Sequence, residues 1–131
     1  MAQLQCIVVT PEATIHDQRA DFVALPLYDG EIGIAPGHSP MIGRLGYGEM
    51  RIREGGQTHR FYVDGGFVEV SGNIVSVLTS RAIGAEKLDA AVAAEQLSTA
   101  RTKPSNTPEL MAIRDRLVAQ SRAQLRMANK R

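Results

Sequence analysis

Up to about Ala82 the sequence is a succession of short apolar runs broken by turn residues, and this rhythm limits the possible folds more than any other feature. Leu4, Cys6 and Val8 alternate with Gln5, Ile7 and Val9; Phe22-Val23-Ala24-Leu25 stops at Pro26; Met50-Arg51-Ile52-Arg53 alternates strictly between apolar and charged. A period of two marks a strand with one buried face. Phe61-Tyr62-Val63, Phe67-Val68-Glu69-Val70 and Ile74-Val75-Ser76-Val77-Leu78 follow. Between them stand Asp64-Gly65-Gly66 and Ser71-Gly72-Asn73, clusters able to supply the positive φ that tight hairpins need. Closely spaced hairpins with no helix between them predict an antiparallel sandwich or barrel rather than an α/β sheet.

After Gly84 the pattern changes. Residues 86–103 are rich in alanine and leucine and contain no Gly or Pro, which predicts a helix over Glu86 to Lys103. Ala90, Ala93, Ala94, Leu97 and Ala100 lie on one arc, a face that admits another helix closely but buries little area. Pro104-Ser105-Asn106 breaks the chain, and Thr107-Pro108-Glu109 restarts it with an N-cap, a proline at the first helical position and an acid in the first turn. On this second helix Leu110, Ile113, Leu117, Val118, Leu125 and Ala128 share one side, with Arg114 intruding on it. Arg116, Arg122, Arg126 and Lys130 lie broadly opposite. The expected class is α+β, mainly β: an antiparallel β-sandwich over residues 1–84, then a detachable two-helix hairpin over 85–131.

A chain of 131 residues can bury a real core without covalent staples. The single cysteine, Cys6, sits in an apolar run and reads as a buried, inert thiol. No charged-then-apolar leader opens the sequence and no apolar run approaches the ~20 residues that span a bilayer, so neither secretion nor direct membrane insertion is expected. Charge is unevenly spread. Residues 1–100 carry 7 basic and 12 acidic side chains, a net −5, whereas residues 101–131 carry 8 basic and 2 acidic, a net +6. A basic appendage on an acidic body favours an acidic partner. The basic segment has no aromatic residue on which a base could stack, so nucleic acid is not the expected one.

The stretch Gly30-Glu31-Ile32-Gly33-Ile34-Ala35-Pro36-Gly37-His38-Ser39-Pro40 concentrates glycine and proline around one acid and one histidine. It lacks the Gly-x-x-x-x-Gly-Lys-Ser/Thr and Gly-x-Gly-x-x-Gly spacings of phosphate loops. His38 has only the adjacent Ser39 beside it, and neighbours in an extended chain point apart, so a catalytic His-Ser pair is not formed. No pair among His16, His38, His59 and Cys6 has the short spacing of a zinc site, so no metal is expected. The acids at Asp17, Asp21, Asp29 and Glu31 flank turns, where acids are ordinary solvating residues. What remains is a shaped loop at a sheet edge, carrying exposed Glu31 and apolar Ile32 and Ile34, suited to contact with another protein.

The segments DGEIGIAPGHSPMIGRLGYGEMRI, Asp29 to Ile52, and FYVDGGFVEVSGNIVSVL, Phe61 to Leu78, resemble the epsilon subunit of F-type ATP synthases. The resemblance covers the sandwich well and extends, less specifically, to the helix-break-helix plan that follows. It implies a non-catalytic subunit of the central rotor stalk, coupling proton or sodium flow to ATP synthesis, with no cofactor of its own. In that family the sandwich binds the gamma subunit and rests on the membrane proteolipid ring, while the mobile hairpin reaches the alpha/beta catalytic head and restrains ATP hydrolysis. Its place would be peripheral, on the cytoplasmic face of the inner membrane.

Carried onto this chain, the resemblance makes Glu31, Ile32, Gly33 and His38 the ring contact and Arg116, Arg122, Arg126 and Lys130 the contact with an acidic loop of the head. Two departures stand out. Leu45-Gly46-Tyr47-Gly48 lacks a proline common in the family's turn there. The hydrophobic-Asp-x-x-Arg-Ala run with which some members bind ATP is missing, and Leu88-Asp89 is followed by Val92 rather than a basic residue, so tight ATP binding is not expected. The competing reading is a free-standing sandwich adaptor whose basic hairpin docks on some other acidic protein.

Overall fold

A computed structural model describes residues 3–130, and its contacts divide the chain between Gly84 and Ala85 into two compact units. The first holds eight strands: β1 (Leu4–Val9), β2 (Thr14–Ala20), β3 (Phe22–Leu27), β4 (Gly30–Ile34), β5 (Met41–Glu54), β6 (Gln57–Ser71), β7 (Ile74–Leu78) and β8 (Ala82–Gly84). They form one sheet in the order β2-β1-β7-β6-β5-β3-β4, with β8 also on β6. The sheet folds over itself because β5 and β6, at 14 and 15 residues, each run through both layers. One layer is β2, β1 and β7 with the last part of β6 and the first part of β5; the other is β4, β3 and β8 with the remaining parts.

This corrects one expectation. Asp64-Gly65-Gly66 does not turn a hairpin; it lies inside β6, where the ladder to β5 keeps its register and skips only the facing pair Gly46 and Gly65. Positive φ is used here for a bend: Gly66 sits at φ +105° with its α-carbon pressed on the Leu78 carbonyl. Asp64 fastens the chain after β7 to the same corner, its amide donating to Thr79 Oγ1 at 3.1 Å and its carbonyl accepting from Ser80 Oγ at 2.7 Å. Ser71-Gly72-Asn73 does turn a hairpin, with φ +57° at Gly72 and +64° at Asn73, the doubly left-handed turn that matches strand twist. The sheet is antiparallel except for β1 and β7, which pair in parallel.

Alternation along the strands builds the core. Leu4, Cys6 and Val8 are buried from β1, Met50 and Ile52 from β5, Val68 and Val70 from β6, and Val75 and Val77 from β7. Each fully buried side chain of this size contributes ~1.5–3 kcal/mol. The layers close where β2 meets β5 and where His16 of β2 packs on His59 and Phe61 of β6, strands to which β2 is not hydrogen-bonded. The fold class is thus the expected sandwich followed by helices.

The second unit contains a 3-10 turn at Ala85–Lys87, helix α1 (Ala90–Arg101) and helix α2 (Pro108–Ala128). Here α1 starts later than expected, because Asp89 leaves the helical conformation to cap it, accepting from Ala91 N at 2.8 Å and Val92 N at 3.1 Å. Thr107 caps α2 by accepting from Leu110 N at 3.2 Å, with Pro108 at the first position as read from sequence. α2 packs along α1 and on the 3-10 turn. From α1 the arc Ala93, Leu97 and Ala100 is buried, whereas Ala94 is exposed.

The buried stripe of α2 is also rotated from the expected one. Ser121, Ala123, Gln124 and Met127 are buried, while Leu110 and Ile113 at the helix start are exposed. Leu117, Val118, Leu125 and Ala128 are only half-buried, so the face of α2 turned inward is centred nearer Gln124 and Met127 than the apolar arc. Arg114 is half-buried, and its Nε reaches the Arg101 carbonyl at 3.4 Å, where a cation suits the C-terminal dipole of α1.

Candidate interaction surfaces

The two outer faces of the sandwich differ in chemistry. On the β4-β3-β5 side charges form a chain. Arg51 Nη2 donates to Glu31 Oε1 at 3.1 Å, Arg51 Nη1 to Glu49 Oε1 at 3.0 Å, and Arg60 Nε to Glu49 Oε2 at 2.6 Å. The hydrogen bond from Glu49, then that from Glu31, raises the Arg51 pKa further above its already high value. The Glu49 side chain is only 9% exposed against 55% for Glu31, so Glu49 is the anchor and Glu31 the wet end.

Glu31 therefore stands on a strand rather than the exposed turn expected from sequence, because Gly30–Ile34 pairs along the full length of β3. The alternation of β4 sends Glu31 and Gly33 outward, with Gly33 against the Phe22 ring, and turns Ile32 inward against the core; Ile34 is buried. His38 is not brought to Glu31. β4 carries the chain from Gly30, beside the Tyr28-Asp29 tip, towards the opposite end of the sandwich, ~10 Å over three residues. There His38 Nδ1 lies 2.7 Å from the Ser39 carbonyl, and Gly37 N donates to Asn73 Oδ1 at 2.8 Å. At the tip, Tyr28 is exposed with the Arg44 guanidinium 4.5 Å from its ring centroid, a cation-π contact.

The other outer face carries large exposed apolar side chains among a few polar ones. Cross-strand register aligns Arg44, Phe67, Leu78 and Val9 in one row and Ile42, Glu69, Ser76 and Ile7 in the next. Ile42 is 75% exposed, Phe67 57% and Leu78 52%. Sequence reasoning missed this face, although Ile74-Val75-Ser76-Val77-Leu78 is apolar at both parities and so announces a strand with no polar side. Large apolar side chains gathered in the open on one sheet surface mark a site of protein contact.

On the hairpin, Arg116, Arg122, Arg126 and Lys130 are all exposed. Asp89 is committed to capping α1. Cys6 is buried, and burial followed by the charge of Asp17 pushes its thiol up to about 12, which makes it a poor nucleophile. Among the described residues no cluster of three or more His, Cys, Asp or Glu is arranged to hold a metal ion, and no helix is long and apolar enough to cross a membrane.

Comparison with known proteins agrees with this picture. Residues 3–85 match the family described as ATP synthase, Delta/Epsilon chain, beta-sandwich domain. Over 123 residues the chain is 50% identical to the ATP synthase epsilon chain of Rhodopirellula baltica, covering 94% of this chain and 96% of that one. Over 96 residues it is 42% identical to the ATP synthase epsilon chain of Carboxydothermus hydrogenoformans, covering 73% and 72% respectively. In fold it is similar to a chain of the Euglena gracilis mitochondrial ATP synthase (OSCP/F1/c-ring, rotational state 1), with a TM-score of 0.87 at 21% identity, covering 100% of this chain and 83% of that one. Matched through its sandwich and along nearly its whole length, this chain belongs to the family of ATP synthase epsilon chains.

Proposed function

We propose that the chain is the non-catalytic epsilon subunit of the central stalk of an F-type ATP synthase, turning with the gamma subunit and helping to couple ion flow to ATP synthesis. It works peripherally, on the cytoplasmic face of the inner membrane. The observation that carries this reading is the apolar outer face of Ile42, Phe67 and Leu78. It supplies the desolvation energy that a permanent subunit interface needs, and such interfaces bury ~1,200 Å² or more in total. Gamma is its occupant. The proteolipid ring meets the Tyr28–Gly33 hairpin, where Glu31 offers a charge held in place by Arg51. His38, at the other end of the strand, serves a different contact.

The hairpin is the regulatory part. Extended towards the catalytic head, it would present Arg116, Arg122, Arg126 and Lys130 to an acidic loop and restrain ATP hydrolysis. Co-purification with gamma tests the assignment of the apolar face. The full chain should hold gamma through gel filtration, and the double variant Phe67→Asp, Leu78→Asp should lose it while keeping the wild-type circular dichroism spectrum. Retention of gamma by that folded variant would move the interface elsewhere.

A further inference from the structure

We infer that His16 is an acid-sensitive latch: as a neutral ring it closes the edge strand β2 onto the second layer of the sandwich, and as an imidazolium it drives that strand away. The latch rests on the sandwich alone and does not depend on the identity of any partner. β2 is the last strand of its layer and is hydrogen-bonded only to β1, so its closure onto the facing layer depends on side chains. His16 is the buried residue in the middle of β2, placed opposite Val8 of β1. Its ring centroid lies 5.5 Å from that of His59 and 5.7 Å from that of Phe61, the latter edge-on. Among the described residues its Nε2 is buried with no hydrogen-bond partner.

The elements around His16 differ in whether they welcome or resist a proton on its ring. From β1 the facing residue is Val8, which offers nothing. From β6 the neighbours are Phe61 and the second imidazole, His59, which disfavours a charge on the His16 ring. From β5 comes Glu54, and from β2 itself Asp17, both of which favour the charged ring. Asp17 lies next along the strand, outside the layer, with its carboxylate accepting from Gln5 Nε2. Burial and His59 outweigh the two acids, so the His16 pKa is lowered.

The sign follows. A histidine with a lowered folded pKa binds its proton more readily in the opened state, so acidification below the ordinary value of about 6.5 favours opening. Opening is local, because the rest of the core contains no comparable group: Leu4, Cys6, Val8, Val68 and Val77 do not titrate in this range.

The test is amide hydrogen exchange of the full chain at pH 7.5 and 5.5, corrected for the intrinsic pH dependence, with His16→Phe beside it. Protection of the β1–β2 ladder should fall several-fold in the wild type at the lower pH, while the β5–β6 ladder stays protected, and His16→Phe should hold both. Equal protection of the wild-type β1–β2 ladder at the two pH values overturns the latch, as does the same loss in His16→Phe. Should His16→Phe fail to fold, an NMR titration of the wild-type His16 ring decides: a midpoint below that of an unstructured histidine supports the latch, and one at or above it refutes it.

Discussion

A β-carbon built on Gly66 would stand 2.0 Å from the carbonyl oxygen of Leu78, the tightest approach at any glycine of the described chain. That contact, with φ +105°, is what lets β6 turn from one layer into the other. Gly66→Ala therefore has no relaxed solution, since both the backbone angle and the clash with main chain oppose it. The expected loss is at least ~3 kcal/mol, read as a shift in the urea unfolding midpoint. A midpoint within experimental error of wild type would mean that the corner tolerates a side chain.

The charge ladder predicts unequal costs for two glutamates. Glu31→Ala removes a half-exposed partner of Arg51 and should cost no more than ~1 kcal/mol. Glu49→Ala leaves Arg51 and Arg60 without their shared, largely buried anchor and should cost more, on the order of 2 kcal/mol. Parallel thermal denaturation of the two variants gives the order directly, and a reversed order would refute the anchor role.

Asp21 accepts from Gln3 Nε2 at 3.1 Å and from Gly55 N at 2.8 Å, tying the start of the chain and the β5–β6 hairpin to the β2–β3 corner. These bonds, the one from Gln3 first, hold its carboxyl below the usual carboxylate range. A depressed carboxyl contributes stability that is present above its unfolded value of about 3.9 and lost as pH falls through the folded value. Asp21→Asn should flatten the stability profile below about pH 4 and lower it evenly between pH 5 and 8, leaving its slope there unchanged. This acid window lies well below that of His16, so the two effects separate in one titration.

Reversing Arg116, Arg122, Arg126 and Lys130 to Glu moves residues 101–131 from a net +6 to −2. Each exposed pair contributes only ~0.2–1 kcal/mol, so single reversals should be nearly silent and the quadruple change should raise ATP hydrolysis by the assembled head. Restraint by the unaltered chain should also weaken as added salt shortens the ~8 Å screening length. Hydrolysis equal to that of a chain ending at Gly84 identifies the basic ridge as the contact. Full restraint by the quadruple variant would transfer that role to exposed Leu110, Met111 and Ile113.

Period-two patterning made β1, the Met50-to-Arg53 part of β5 and the strands of Val68 and Val77 readable from sequence, because a half-buried strand records its burial residue by residue. Asp64-Gly65-Gly66 was misread because positive φ serves a hairpin and a bend alike, and the deciding contact is with Leu78, twelve positions further on. The start of α1 was misplaced since Glu86 and Lys87 are good helix formers in isolation; the Asp89 cap decides the matter. The stripe of α2 depends on which face meets α1 and the 3-10 turn, a tertiary fact. The resemblance put Glu31 and His38 in one contact, whereas β4 between them carries the chain from the Tyr28-Asp29 tip towards the Asn73 turn.

Ion-driven ATP synthesis in vesicles carrying a synthase stripped of this subunit tests the stalk assignment most directly. Adding the full chain should restore synthesis, and the folded Phe67→Asp, Leu78→Asp variant, lacking the apolar face, should not. Synthesis at full rate without the chain, or equal rescue by that variant, would contradict a role for this subunit, docked through that face, in the rotor.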